Sequence, residues 1–520
     1  MEKFVGIDFG ACNIKAAYWW HGKEVRIARL SQDVEQSYIP NVVLYYMTQA
    51  GNLEKKIGDP AKEEQDPENS VEYVKRKLEI ETWAKPIPNL QRDVTAMEAA
   101  TDIFRGLSER LQKKLNCAAH ELQAVITVPV CSSGLQRSRI YQAARAAGIG
   151  VEAVITEPFA AVFAFDDVFD GDGKDENVLV FDFGGSTLDL SLLQVEREGG
   201  IRLEELASAG LPFGGIDIDE AIFSEILEKK YASEIAEIQS NDDTIGKSKT
   251  EQELRDVATK MKENLFAEDN EFFKRTFTFH GSGTSYTFEL TRNEMEALFQ
   301  RHGLREKIFG LLDELFGQTY LQKTEVTLVK PVGGASRIKY VLDLLTEYFG
   351  ADIFDSDDIF DDDKYDWDEK MADVAAGAAQ YLAICKEQNE GIEIVSTVPF
   401  SLGIANGEVF KKYLECCPPY GRRTKRIPLP WNRLAETEYK VSVYQSFADS
   451  EQVAIGGKNG AVYVGSVTVD PALYQANDGI LLEMEMADSD TLRMIFSEMR
   501  DDDLQDVETK EIHIGVVENG

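Results

Sequence analysis

A chain of 520 residues predicts three to four domains by length alone, at roughly 150 residues each. Its 55 Lys and Arg against 92 Asp and Glu leave a formal net charge of −37, which argues against nucleic acid and against an anionic membrane surface as partners. Hydrophobic residues at 43% and charged residues at 28% fit a globular chain with ample core, and no apolar run reaches the roughly 18 residues that a bilayer span needs.

Residues 1–6 enter an apolar strand pattern at once, without the layout of a signal peptide, so a cytoplasmic location is expected. The six cysteines, at 12, 117, 131, 385, 416 and 417, include no Cys-x-x-Cys pair. None of the five histidines pairs at helical spacing. Reduced buried thiols are expected, and a metal-hydrolase reading has little support.

In chain order, Val5-Gly6-Ile7-Asp8-Phe9-Gly10 is an apolar strand that ends in an aspartate and a glycine turn. Residues 125–128 read as a second short buried strand. Residues 178–183 form a third, and Asp182-Phe183-Gly184-Gly185-Ser186-Thr187 repeats the aspartate-glycine turn 174 residues after the first. Glycine lets backbone amides approach an anion, runs of such amides bind phosphate oxygens, and an aspartate beside them is a hard oxygen ligand for magnesium. Two facing copies would clamp a polyphosphate, so a duplicated nucleotide-binding fold is expected. The chain has no Gly-x-x-x-x-Gly-Lys-Ser/Thr phosphate loop.

Residues 326–332 predict another strand, joined by Gly333-Gly334-Ala335-Ser336-Arg337 to an amphipathic helix carrying Ile338, Val341, Leu342, Leu345, Tyr348 and Phe349. Nine carboxylates in residues 355–369 lack the order of a calcium loop and predict a solvated acidic loop. Residues 372–383 predict a small-residue helix able to pack tightly on a sheet. Beyond Gly391 the pattern turns to strands at 439–446, 462–469, 480–486 and 491–496, with a turn at Asn477-Asp478-Gly479. Ile480, Leu482, Met484 and Met486 share one face, which is expected to be buried. An all-β module reaching about residue 500 is expected, with a seam at 385–395.

In this order, and over nearly the whole chain, these segments resemble the heat shock protein 70 (DnaK-type) chaperone family of the actin-like ATPase superfamily. Gly6–Gly10 resembles its first phosphate motif and 178–190 its second. Residues 124–157 resemble the segment that joins a proline switch to a catalytic glutamate. Gly333 to Ile338 resembles the adenosine motif. Thr397-Val398-Pro399-Phe400-Ser401-Leu402-Gly403 resembles the start of the peptide-binding β-domain.

The resemblance implies an α/β actin-like ATPase domain of two ribonuclease-H-like halves, at 1–172 and 173–385. A linker at 386–395 and an all-β sandwich at 396–520 without a helical lid would follow. The implied reaction is ATP hydrolysis with magnesium, and potassium is a further candidate cofactor. Asp8 and Asp182 would orient the magnesium through water. Lys75 would touch the γ-phosphate, Glu157 would orient the attacking water or take its proton, Thr187 would bond the γ-phosphate, and Asp189 would support the site. Gly10, Ala11, Cys12, Asn13, Gly184, Gly185, Ser186, Gly214, Gly215, Lys262, Gly333, Gly334, Ala335 and Arg337 would bind the rest of the nucleotide. Pro129 and Arg137 would relay its state to the β-domain. Without the resemblance, Lys75 and Arg137 read as solvated charges, Pro129 as a strand end, and Glu157 as a helix N-terminal carboxylate.

This chain also departs from the family. Ala11 and Cys12 replace two threonines. Thr259, Glu263 and Phe266 replace adenosine-contacting residues of the helix that carries Lys262, and Ala335 replaces a serine. Ala153 replaces an arginine of J-domain coupling, which leaves the J-domain co-chaperone a doubtful partner. Glu393 places a charge inside a linker that is otherwise apolar, and burying it would weaken docking. The implied partners are extended or unfolded clients, with a nucleotide-exchange factor as a candidate. Two other readings stand beside the chaperone: a pseudo-ATPase that binds nucleotide without hydrolysing it, and a sugar-kinase-like enzyme, against which the β-module argues.

Overall fold

The computed structural model describes residues 2–31, 36–64, 66–80, 82–165, 175–197, 200–240, 244–267, 270–279, 285–354, 371–387, 392–395, 401–406, 409–414, 424, 426–429, 439–446, 452–455, 461–475, 479–486, 491–500 and 503–513. The acidic stretch 355–369, Thr397 to Phe400, Cys416, Cys417 and the Asn477-Asp478 pair lie outside the described residues.

Two mixed sheets share one plan. In the first, Lys3–Phe9 runs parallel to Leu122–Val128 on one side and antiparallel to Asn13–Trp20 on the other. In the second, Glu176–Phe183 runs parallel to Leu328–Val332 and antiparallel to Leu188–Glu196. Each aspartate-glycine strand is thus central, and its turn leads into its own hairpin partner. Val5, Ile7 and Phe9, like Leu179, Phe181 and Phe183, are fully buried. Covered on both faces, such strands show continuous rather than alternating apolar sequence.

The small-residue helix forms as Asp373–Glu387 and packs against Lys3–Phe9, Asn13–Trp20 and the Glu157–Val162 helix. The contact requires glycine, since a Cβ on Gly6 would stand 2.0 Å from the Ala375 carbonyl oxygen and one on Gly377 would stand 1.8 Å from that of Ala160. Val374, Ala378 and Leu382 of this helix share a core with Val125, Ile155, Val178 and Val332, so residues of both sheets are locked into one apolar layer. The predicted amphipathic helix is Lys339–Phe349, with Val341, Leu342, Leu344 and Leu345 buried.

The C-terminal region contains two further antiparallel sheets. One orders Gln452–Ala454, Val409–Leu414, Ser401–Asn406, Tyr439–Ser446 and Val462–Val469, and the other Ile427–Pro428, Leu481–Met486, Thr491–Arg500 and Asp503–His513. Val443, Val464 and Val469 of the first meet Leu482, Met484, Leu492 and Phe496 of the second in a separate core. The expected end near residue 500 is corrected: Asp503–His513 pairs along the whole of Thr491–Arg500, and Ile512 enters the core. Its alternation is broken in sequence, because Glu508 and Lys510 stand on the same face as Ile512, opposite the buried Phe496 and Met494, and a bulge at Phe496/Ser497 shifts the register.

Ile392–Val395 is also a strand. It adds in parallel to the edge of the second sheet, with Ile201 opposite Ile392, Arg202 opposite Glu393 and Leu203 opposite Ile394. Ile392 and Ile394 pack on the layer shared by the two sheets. The expectation that docking buries Glu393 is corrected. The period of two points Glu393 outward, where 68% of its side chain is exposed and lies 3.4 Å from Arg202. The Gly134–Ala146 helix packs against the Val462–Val469 strand. Among the described residues no helix is long and apolar enough to cross a membrane.

Candidate functional site

The two aspartate-glycine turns open into one cavity of about 590 Å³. From the first turn, Asp8, Gly10, Ala11, Cys12 and Asn13 line it; from the second, Asp182, Gly184, Gly185, Ser186 and Thr187. The first turn is held by Asn41, whose Nδ2 donates to the Gly10 carbonyl at 2.7 Å and whose amide donates to that of Cys12 at 2.7 Å. The second is closed by the Gly184 amide on the Thr187 carbonyl at 3.0 Å. Gly215 and Ile216 amides donate to the Gly184 and Gly185 carbonyls.

Two glycines are required by space. Gly333 has φ +83°, and a Cβ there would stand 2.5 Å from Asp182 Oδ1. A Cβ on Gly214 would stand 2.4 Å from the Ser186 amide nitrogen. Gly215, Lys262, Gly333, Gly334, Ala335 and Arg337 line the cavity, whereas Gly214 braces the second turn from outside it.

Lys75 sits on the short helix Val74–Lys77 and is 2% exposed. Its ammonium donates to Glu157 Oε1, which belongs to the first residue of the Glu157–Val162 helix. The solvated-charge reading of Lys75 is therefore corrected, since a partner 82 positions away in sequence draws it inward. Gln136 holds the Lys75 carbonyl at 2.9 Å. Arg137, the other residue read as a surface charge, is buried at 3% exposure.

The floor of the cavity is crowded with carboxylates. Burial pushes the Glu157 carboxyl up, against the pull of Lys75. Burial, then the like charges of Glu157, Asp189 and Asp8, pushes Asp182 well above the carboxylate range. Asp189, fully buried, is raised to about 7 by burial and by Glu157. It accepts from Thr187 and, at 2.8 Å, from the Val130 amide next to Pro129. A hydrogen-bonded path thus runs from the second turn to Val130, the residue after Pro129, although Pro129 and Arg137 themselves lie outside the cavity.

Two hard carboxylates facing a roomy, acid-rich cavity fit a magnesium ion that keeps most of its own waters. Among the described residues, no group of three or more His, Cys, Asp or Glu forms a ready-made metal cage. Burial raises the Cys12 thiol to about 11, so it stays protonated and is not a nucleophile at neutral pH.

Tyr73, Lys62 and Lys15 line the cavity and escape motif reading, and Arg76 braces it from outside. Tyr73 takes the left-handed φ of 53° to turn the chain into the Lys75 helix. Arg76 crosses to the second half of the chain, reaching Asp217 at 2.6 Å and the Ser186 carbonyl at 3.1 Å. Lys62 pairs with Glu72 at 3.2 Å and with Asp256 at 3.5 Å. Lys262 pairs with Asp219 at 2.7 Å. Lys15 lies 2.9 Å from Asp8 Oδ2. Burial pulls its ammonium down, but Asp8, Asp182 and Glu157 more than offset this and hold it above the ordinary lysine value. A sequence signal for Lys15 does exist: it follows Asp8 by seven residues, as Asp189 follows Asp182.

Duplicated sheets whose aspartate-glycine turns face each other across a cavity define a class of two-halved α/β proteins. The family model described as Hsp70 protein matches residues 4–446, and the chain belongs to the Hsp70 family. It is 28% identical over 410 residues to the chaperone protein DnaK of Thermoplasma volcanium, covering 78% of this chain and 62% of that one. With the DnaK of Stenotrophomonas maltophilia the identity is 28% over 443 residues, 80% of this chain and 65% of the other. With that of Thermotoga maritima it is 27% over 458 residues, 85% and 70% respectively. The chain thus spans less than two thirds of the length of the first of these relatives.

Proposed function

We propose that this protein is an ATP-driven chaperone. Residues 1–385 would form a two-lobed actin-like ATPase, 386–395 a linker, and the strands beyond residue 396 a β-sandwich that holds extended apolar segments of client proteins. The observation that carries this reading is the convergence of Asp8, Lys75, Glu157, Asp182 and Thr187 on one cavity lined by glycine turns. The backbone amides of the two turns and the Lys75 ammonium receive the phosphates. Asp8 and Asp182 would hold a magnesium ion through water, and the ion would supply positive charge to the phosphates. Glu157 orients a water for attack on the γ-phosphorus and accepts its proton, while the bond to the bridging oxygen breaks and ADP keeps the electron pair. The raised proton affinity of the buried Glu157 suits that role.

Binding would reach the client module by two routes, a reading supported by the Thr187–Asp189–Val130 hydrogen bonds beside Pro129 and by the Ile392–Val395 strand on the second sheet. A nucleotide-exchange factor and potassium belong to this proposal as well. The second reading, nucleotide gating without hydrolysis, draws on Ala11 and Cys12, which leave no hydroxyl at the first turn. Single-turnover hydrolysis of bound [γ-32P]ATP, with and without apolar peptides, separates the two. Slow phosphate release accelerated by peptide supports the chaperone, and binding with no release over hours supports the second reading.

A further inference from the structure

The geometry points to Lys15 as a built-in counter-cation of the phosphate site, one that lets a nucleoside diphosphate bind without a divalent ion. This rests on the nucleotide reading above and extends it to a residue of the strand that follows the first turn. Lys15 stands directly opposite Asp8 in the antiparallel hairpin, so both side chains leave the same face of the pleat. Its ammonium is 2.9 Å from Asp8 Oδ2; the two side chains are 13% and 6% exposed, and both line the cavity. In the second sheet the corresponding partner of Asp182 is Asp189, a carboxylate. The two halves therefore differ in charge at equivalent places. Of the other lysines lining the cavity, Lys75 is engaged by Glu157, Lys62 by Glu72 and Asp256, and Lys262 by Asp219.

An incoming diphosphate thus meets Asp8 already neutralised by a cation of the protein. With Lys15 removed, Asp8 would lose its counter-charge and repel the diphosphate until a divalent ion arrived. An ammonium within about 6 Å of a phosphate charge, at an effective dielectric near 20, is worth about two decades in affinity. Ala11 and Cys12, which line the same cavity, bring no side-chain hydroxyl to it.

The test is fluorescence-anisotropy binding of a labelled ADP to the full chain, in magnesium and in EDTA, for wild type, Lys15→Met and Lys15→Gln. The glutamine variant still donates to Asp8 and guards against misfolding of the methionine one; melting of each unliganded protein checks the fold. Wild type is expected to lose less than about tenfold in affinity on removal of magnesium, and each variant about 100-fold or more. Wild type losing as much as the variants overturns the inference while leaving the nucleotide reading intact. No binding by wild type even in magnesium overturns both.

Discussion

Reversing the charge of Arg202 is expected to release the linker strand from the second sheet. Arg202 lies 2.6 Å from Glu204, 3.2 Å from Glu196 and 3.4 Å from Glu393, and it is the cation among three carboxylates at the sheet edge. Arg202 and Glu393 are 35% and 68% exposed, so their pair is worth about 0.2–1 kcal/mol. In Arg202→Glu that attraction is lost, and a like charge stands directly across the ladder from Glu393, adding a similar penalty. The total of about 0.4–2 kcal/mol shifts docking roughly 2- to 30-fold toward the free linker. Limited proteolysis of the full chain reads this directly, because cleavage in 392–395 follows the undocked population when docking is fast. The variant should be cut faster at low salt, and the difference should shrink at high salt as the pair is screened. Adding Glu393→Arg to the variant should restore part of the protection. By the same geometry, Glu393→Leu should not strengthen docking, since position 393 faces water. Equal cleavage of wild type and Arg202→Glu at both salt concentrations would refute the reasoning.

Thr187→Ala should slow ATP hydrolysis while leaving ADP affinity nearly unchanged, as separate kcat and Kd measurements would show; an unchanged kcat counts against a γ-phosphate contact. Gly333→Ala forces a Cβ to 2.5 Å from Asp182 Oδ1 at φ +83°, and backbone strain of about 1–3 kcal/mol should appear as a lower Tm together with weaker nucleotide binding. Lys75→Met strands the buried Glu157 carboxylate, and chemical denaturation should show a loss of about 3–5 kcal/mol. Asp189 binds its proton more tightly in the folded chain, at about 7, than the ordinary 3.8. Between those values the native state holds more protons than the unfolded one, so stability should fall as pH rises through this window. Asp189→Asn should flatten that slope by up to about 1.4 kcal/mol per pH unit, measured by denaturant melts at pH 5 and pH 7.

The local elements and the family of this chain were legible in its residues. Apolar runs ending in Asp8-Phe9-Gly10 and Asp182-Phe183-Gly184 mark two strands and two turns, because an aspartate and glycines at a strand end leave little else for the backbone to do. Ile480, Leu482 and Met484 are buried as their alternation requires, since the pleat sends every second side chain to one face. What the linear chain does not carry is the identity of each charge's partner. Lys75 looks like any lysine in a basic helix until Glu157, 82 residues on, comes within reach. Arg137 reads as surface until the fold covers it. Glu393 looks costly to dock until the register of Ile392–Val395 turns it to water beside Arg202. Lys15 acquires meaning from lying across the hairpin from Asp8. Backbone preferences act over a few residues and leave their trace in sequence. The burial and pairing of a charge depend on strand register and on side chains brought together from distant segments, which only the tertiary structure decides.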